Sequence, residues 1–392
     1  MTLAGPLADR LPDAAAPAPA PWGDRVAAWR NRLYASATFQ RWAGRLPVAR
    51  LVARSRSRAL FDLVAGFTYT QTLAACVRLD LLPLLHEAPR TTAELADRLL
   101  LPADGLERLL RAAAALGLAE SRRGARWGLG PLGAPLLAAP GLAQLVEHNA
   151  LLYDELRDPL ALLRRPAADR GTALADYWPY AASARPQRAS GADVAGYTAL
   201  MSATVTPLAE EILDAVSLRG VSRLLDVGGG DGGFVSAVAR RHPGLRLALF
   251  DLPPVAARAS RRLRDAGLHD RVSVHAGDFH SEALPAGADV VTLVRVLLDH
   301  DDATVLALLR RVRDALAPGG RVVVAEPFAG VRGAEVVGDV YFGLYLWAMG
   351  RGRARRADEL RALLRAAGFA GVHTRRTRYP VQCGVMIGEV GR

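Results

Sequence analysis

The chain contains no lysine: all fifty of its basic residues are arginine, set against 39 acidic ones, for a formal charge of +11. Surplus positive charge marks a nucleic-acid binder when it is gathered on one face. Here the arginines are spread along the chain rather than held in one block. Complete replacement of lysine in an Ala-, Leu- and Gly-rich chain fits a codon bias better than a set of phosphate contacts. Nucleic acid is therefore not expected as a partner, and an anionic membrane surface is the better use of the surplus. Cysteine is also scarce. Cys76 and Cys383, far apart, cannot form a disulfide framework or a zinc cluster, so no metal is expected. No run approaches the roughly 18–20 uninterrupted apolar residues of a membrane-spanning helix. The first residues lack the basic start and apolar core of a signal peptide. The expectation is a cytoplasmic protein, at most peripheral to the inner face of the membrane. Hydrophobic residues make up 51% and charged residues 23%, a globular composition, and 392 residues leave room for two or three domains at about 150 each.

Residues 1–22 are Ala/Pro-rich without apolar periodicity and read as a disordered lead-in. A mainly helical region follows over 23–165. Phe61, Leu63, Val64 and Phe67 open an apolar stretch dense enough for burial on most faces. Thr91 with Glu94 forms a capping box for a short helix, which Pro102 ends. Leu106, Leu109, Leu110 and Ala113 then give a second helix its inner face, and Gly117 stops it. Arg122-Arg123-Gly124 reads as a turn between two short strands. Helix, turn, helix and hairpin make a winged-helix-like unit. Only Arg108 and Arg111 face outward from its second helix among alanines, which favours a dimerisation and substrate-lid role over DNA reading. Residues 166–215 read as linker helices that contribute to a substrate site. From 216 to 392 strand and helix signals alternate. Strands are expected at Arg223–Val227, Arg246–Phe250, Val272–Ala276, Ala288–Val294 and Gly320–Glu326, then around 371–377 and 383–388. A helix over Val305–Leu316 and another over Leu360–Ala367 complete a doubly wound parallel sheet.

Chemistry concentrates at LLDVGGGDGGF (224–234), where a buried strand runs into a glycine-rich turn that opens a helix. Gly228, Gly230 and Gly233 formally match the dinucleotide fingerprint, with Asp251 about twenty residues on. Three features turn the reading away from NAD. The motif sits behind a large helical region. Asp226 places a carboxylate beside the turn, where a ligand's amino group can be held. Asp278 and Phe279 follow the third strand and suit an adenine edge and ring. A nucleoside with a cationic amino-acid tail and no phosphate fits this set better than a pyrophosphate; S-adenosylmethionine is such a ligand.

LLDVGGGDGGF, LALFDLP, the GDF step at 277–279 and a strand ending in Val294-Arg295 before an acidic segment resemble the class I small-molecule O-methyltransferases with an N-terminal dimerisation domain. The resemblance runs from about residue 55 onward. FDLVAGFTYTQTL (61–73), EHNALLYDELRDPLALLR (147–164), DYWPYA (176–181) and GDVYFGLYLWAMGRGRARR (338–356) are similar to the bacterial carotenoid O-methyltransferases acting on demethylspheroidene or 1-hydroxyneurosporene. It implies an α/β fold, a Rossmann-like seven-stranded catalytic domain with one antiparallel strand, preceded by a winged-helix-like dimerisation domain. It also implies a homodimer and S-adenosyl-L-methionine as cofactor, with an apolar small molecule as acceptor. Gly228 would lie against the methionine portion and Asp251 on the ribose hydroxyls. Asp278 and Phe279 would frame the adenine, and Arg295 stands where many relatives carry a cofactor-contacting lysine. Other acceptors consistent with the residues are an aromatic polyketide or a bacteriochlorophyll precursor. Outside the enzymes, a winged-helix regulator that senses a metabolite is the alternative.

At the catalytic position the chain departs from this family. Relatives that methylate phenols place a histidine before the aspartate, whereas here the pair reads Leu298-Asp299. His300 either swings in as a displaced base or only caps the next helix with Asp301 and Asp302. Tyr341 and Tyr345, four apart on one helical face, are further candidates for holding a hydroxyl. The apolar run Tyr341–Met349 and the cluster Tyr177-Trp178-Pro179-Tyr180 read either as a pocket for a long polyene or as core between domains.

Overall fold

The computed structural model describes residues 21–43, 45, 47–166, 171–177, 204–205, 208–380 and 383–391. Almost all of the 1–22 lead-in, most of the 166–215 linker and Trp178-Pro179-Tyr180 lie outside the described residues. Chain contacts divide the protein into two units, residues 1–72 and 73–392.

In the first unit, α1 (Trp22–Ala35) and α2 (Ala37–Ala43) lead into α3 (Pro47–Arg78), which runs on past Thr72. The Arg56 guanidinium stacks 4.1 Å from the Tyr34 ring centroid, tying α3 to α1. One expectation is corrected on α3. Phe61, Leu63, Val64 and Phe67 are 63–82% exposed in the single chain, because among the described residues of this unit no element covers them; dense burial begins only at Ala74 and Cys76. By length and composition alone, Ala49–Arg78 also contains a window apolar enough to cross a membrane, although the sequence has no unbroken apolar run.

In the second unit, α4 (Leu81–Glu87) precedes β1 (Arg90–Thr91), α5 (Thr92–Leu99) and α6 (Ala103–Ala115). The expected capping box forms: Glu94 N donates to Thr91 Oγ1 and Thr91 N to Glu94 Oε2. β2 (Ala119–Arg122) and β3 (Arg126–Leu129) make the hairpin, with β3 central in the order β1-β3-β2. Leu95, Leu106, Leu110 and Ala113 form its core with α4. Arg111 pairs with Glu107 one turn away rather than standing free. α7 (Gly133–Ala138), α8 (Pro140–Glu155), α9 (Pro159–Arg164) and α10 (Ala173–Tyr177) follow.

The α/β part comprises β4 (Arg223–Val227), α11 (Gly233–Arg241), β5 (Arg246–Asp251), α12 (Pro253–Asp265), β6 (Val272–Ala276) and β7 (Ala288–Val294). Then come α13 (Asp302–Ala315), β8 (Leu316–Glu326), α14 (Gly343–Met349), α15 (Ala357–Ala366), β9 (Ala370–Arg375) and β10 (Gly384–Glu389). The seven strands order as β6-β5-β4-β7-β8-β10-β9, with β10 antiparallel to both neighbours. Two apolar layers, one on each face, bury the sheet, as a parallel sheet requires. β8 begins four residues before the expected Gly320. Leu316 already pairs with Ala288, and the register shifts between Ala288 and Val290, so Pro318-Gly319-Gly320 bulges out instead of separating helix from strand. Chain order reverses at β4, flanked by β5 and β7, and this opens a crevice beyond its carboxyl end.

Candidate active site

β4 delivers Asp226 to the crevice. Its carboxylate is fully buried; Thr292 Oγ1 donates to Oδ1 at 2.6 Å, and Oδ2 has no hydrogen-bond partner among the described residues. Burial, helped by the nearby Asp251 charge, pushes its pKa up to about 7. The chain then turns through Gly228 and Gly230 at φ +70° and +61°, a conformation that favours glycine. A Cβ on Gly228 would come within 2.7 Å of Val296, and one on Gly229 within 2.7 Å of Asp226 Oδ2. Glycine is thus what lets this loop close over the buried carboxylate.

β5 ends on Asp251. Gly230 N donates to its Oδ2 at 2.8 Å and Leu252 N to its Oδ1 at 2.7 Å, which fixes the carboxylate at the crevice wall. Burial nevertheless raises its pKa to about 7, against the pull of those two amides. Past β6, Asp278 and Phe279 line the same crevice. Asp278 also caps its own loop, since His280 N donates to its Oδ1 at 2.9 Å. Phe279 meets the His280 ring at 4.7 Å and stands edge-on to His300 at 5.4 Å, while its other side packs on the sheet core. From β7, Arg295 adopts φ +55°, strained for a residue with a side chain, and its Nη1 donates to Thr204 Oγ1 at 2.9 Å.

Asp299 and His300 complete the wall, whereas Leu298 does not reach it. Leu298 is buried among Tyr345, Leu346 and Met349, so the position held by histidine in phenol-methylating relatives is turned into core. His300 does not cap α13. Asp301 does, accepting from Thr304 N, which frees the imidazole to face the crevice. Burial, with His280 and Arg355 nearby, drives His300 down to about 4. Burial and the Glu326 carboxylate drive Asp299 up to about 8, with Arg295 opposing.

Tyr341 and Tyr345 do not line the crevice. Tyr341 donates to Asn149 Oδ1 at 2.9 Å, and the Tyr345 hydroxyl lies 2.6 Å from His148 Nε2. The rings stack in the cluster behind Leu298, so much of the run 341–349 is core.

Several residues were missed by sequence reasoning. Glu326, at the end of β8, is fully buried; it accepts from Leu298 N at 3.1 Å, and its Oε1 has no partner among the described residues. Arg355 has no exposed surface; it donates to Leu297 O at 2.7 Å, His300 O at 2.6 Å and Asp302 at 2.9 Å. Arg353 N adds a bond to Leu298 O. The 350–356 loop therefore clamps the segment that carries Asp299 and His300. The arginine-dense GRGRARR ending of the fourth resembling segment was the available signal; Glu326 gave none.

The crevice brings together Asp226, Gly228, Gly230, Asp251, Asp278, Phe279, Arg295, Asp299 and His300. A buried carboxylate with one oxygen unpartnered among the described residues, a second carboxylate at the crevice wall, and an aromatic face suit S-adenosylmethionine. Comparison with known proteins gives the same answer. Residues 181–370 match the O-methyltransferase domain and residues 61–139 the O-methyltransferase dimerisation domain. A demethylspheroidene O-methyltransferase of Cereibacter sphaeroides is 44% identical over 342 residues, covering 87% of this chain and 89% of the relative. The chain belongs to the S-adenosylmethionine-dependent O-methyltransferases. A second demethylspheroidene O-methyltransferase, from Rhodobacter capsulatus, is 40% identical over 347 residues, covering 88% of this chain and 86% of that one. The S-adenosylhomocysteine-bound structure of CalO1, a methyltransferase of calicheamicin biosynthesis, aligns with TM-score 0.72 at 27% identity, over 86% of this chain and 98% of that one. The cofactor is S-adenosyl-L-methionine, and the dimerisation domain supports a homodimer.

Proposed function

We propose that this methyltransferase acts on the tertiary hydroxyl of an acyclic hydroxycarotenoid, of the demethylspheroidene or 1-hydroxyneurosporene type, and leaves a methoxy group. The observation that carries the reading is the pair of relatives named for that reaction, similar over almost nine-tenths of this chain. S-adenosylmethionine supplies the methyl group on a sulfonium. Asp226 would hold its amino group, Gly228 and Gly230 its methionine portion, Asp251 the ribose hydroxyls, and Asp278 with Phe279 the adenine; Arg295 stands beside them.

A tertiary alcohol is a very weak acid, so its proton leaves with or after bond formation, and alignment with exclusion of water supplies much of the acceleration. Two groups next to Leu298 on the crevice wall can receive that proton. His300, near 4, is neutral at pH 7 but a poor base. Asp299, raised by burial and the Glu326 carboxylate, is the stronger base, and its carboxylate oxygen takes the proton in this reading. Leu298 is tolerable for such an acceptor because no ionised phenol has to be generated beforehand. The working unit is a homodimer in the cytoplasm, at the inner face of the membrane where a polyene resides. Incubation with methyl-labelled cofactor and extracted hydroxycarotenoids should yield the methoxy product by mass spectrometry. Turnover of phenols with none of tertiary alcohols overturns the reading.

A further inference from the structure

The arginines are spread along the chain, but the compensating acids are not. Residues 22–58 hold nine arginines and one acidic residue, Asp24; the rest of the chain is nearly balanced, 41 basic against 38 acidic. Three of the six tryptophans, Trp22, Trp29 and Trp42, lie in the same stretch. We propose that this segment, upstream of the dimerisation domain, is an interfacial anchor that seats the enzyme on an anionic lipid surface.

The geometry of α1 carries the argument. At 3.6 residues per turn, Trp22, Val26, Trp29 and Leu33 fall on one stripe. Trp22 is 79% and Trp29 61% exposed, and no residue of the helix is buried. Arg25 and Arg32 border the stripe on one side and Arg30 on the other, while Asp24 and Asn31 lie opposite. An apolar stripe ending in tryptophan and bordered by cations is built to lie in the plane of a membrane interface, rings at headgroup depth and guanidiniums on lipid phosphates. Trp42, Leu51 and Val52 add exposed apolar surface beside Arg50, Arg54 and Arg58. Among the described residues, none of the nine arginines lies within ion-pair distance of a carboxylate. A second copy as the cover would set eight net positive charges against eight more. A nucleic-acid duplex would match the arginines but leave the tryptophan stripe in water. An anionic bilayer satisfies both.

The inference draws its biological sense from the proposed lipophilic acceptor, yet its test does not depend on that reading. The full-length protein should float with vesicles of phosphatidylcholine and phosphatidylglycerol in equal parts, release in raised salt, and float weakly with phosphatidylcholine alone. Replacing Arg25, Arg30 and Arg32 together by glutamine should lower partitioning about tenfold to hundredfold. The pair Trp22→Ser and Trp29→Ser should lower it comparably. Both variants should keep the wild-type cofactor affinity by calorimetry and the wild-type mass by light scattering. Equal flotation on neutral and anionic vesicles, unchanged partitioning in both variants, dissociation of the dimer by the tryptophan changes, or tighter binding to a DNA duplex at the same salt each overturns it. Failure to methylate hydroxycarotenoids with vesicle binding intact would remove the proposed substrate and leave the anchor standing.

Discussion

Asp299 and His300 are adjacent in sequence and shifted in opposite directions by the same burial, because desolvation disfavours whichever form is charged. That opposition separates their roles by experiment. Asp299→Asn should reduce turnover by about 10²–10⁴ with cofactor affinity unchanged, and should abolish the rise in rate as pH increases through about 8. His300→Ala should cost less than tenfold. Asp251 is read by binding instead. Its loss as Asp251→Ala should weaken cofactor binding by about 3 kcal/mol or more, at roughly 1.5–3 kcal/mol per charged hydrogen bond. A ribose donates to the carboxylate form, so binding must expel any proton held there. Calorimetry should therefore show Kd rising as pH falls through about 7. The place of Asp251 at the crevice was legible in the sequence, since it ends a strand about twenty residues past a glycine turn. The value of Asp299 as a base was not, because Glu326, which helps to raise it, stands 27 positions away and meets it only through adjacent strand ends.

At the scale of elements, the segment 297–302 that carries Asp299 and His300 is a short turn held from outside. Arg355, Arg353 and Gly352 close on it, and a Cβ on Gly352 would approach Leu298 O to 2.0 Å at a φ of +77°. Gly352→Ala should displace Asp299 and depress kcat far more than cofactor affinity. Arg355→Ala leaves the Leu297 and His300 carbonyls without this donor and Asp302 with Arg353 alone. It should lower unfolding stability by about 1–3 kcal/mol in a denaturant titration. Elements with strong local signals, such as the Thr91 capping box and the strands from Arg223 to Val294, were readable because their bonds and periodicity are local. The start of β8 was misjudged because pairing with Ala288 overrode the helix-ending proline and glycines. Tyr341 and Tyr345 share a helical face as expected, but that face meets α8, a partner nearly two hundred residues earlier.

For the whole molecule, buried ionisable groups set how stability follows pH. Asp226, Asp251, Asp299 and Glu326 have folded pKa values raised to about 7–8, above their unfolded ones. Their contribution is present at low pH and is lost as pH rises through those values. His148 and His300, lowered to about 4, act in the opposite sense only below their unfolded value of about 6.5. In the window from about 6.5 to 8 the carboxylates act unopposed, so the melting temperature of the cofactor-free enzyme should fall as pH rises across it. Sequence by itself determined the strand–helix alternation, the glycine turn, the carboxylates that line the crevice and the family, because these depend on residues close together along the chain. Tertiary structure alone decided that Leu298 is core, that His300 faces the crevice while Asp301 caps the helix, and that Glu326 and Arg355 hold the turn that carries Asp299. Those outcomes depend on which distant side chains exclude water from one another, and no local pattern of residues encodes that.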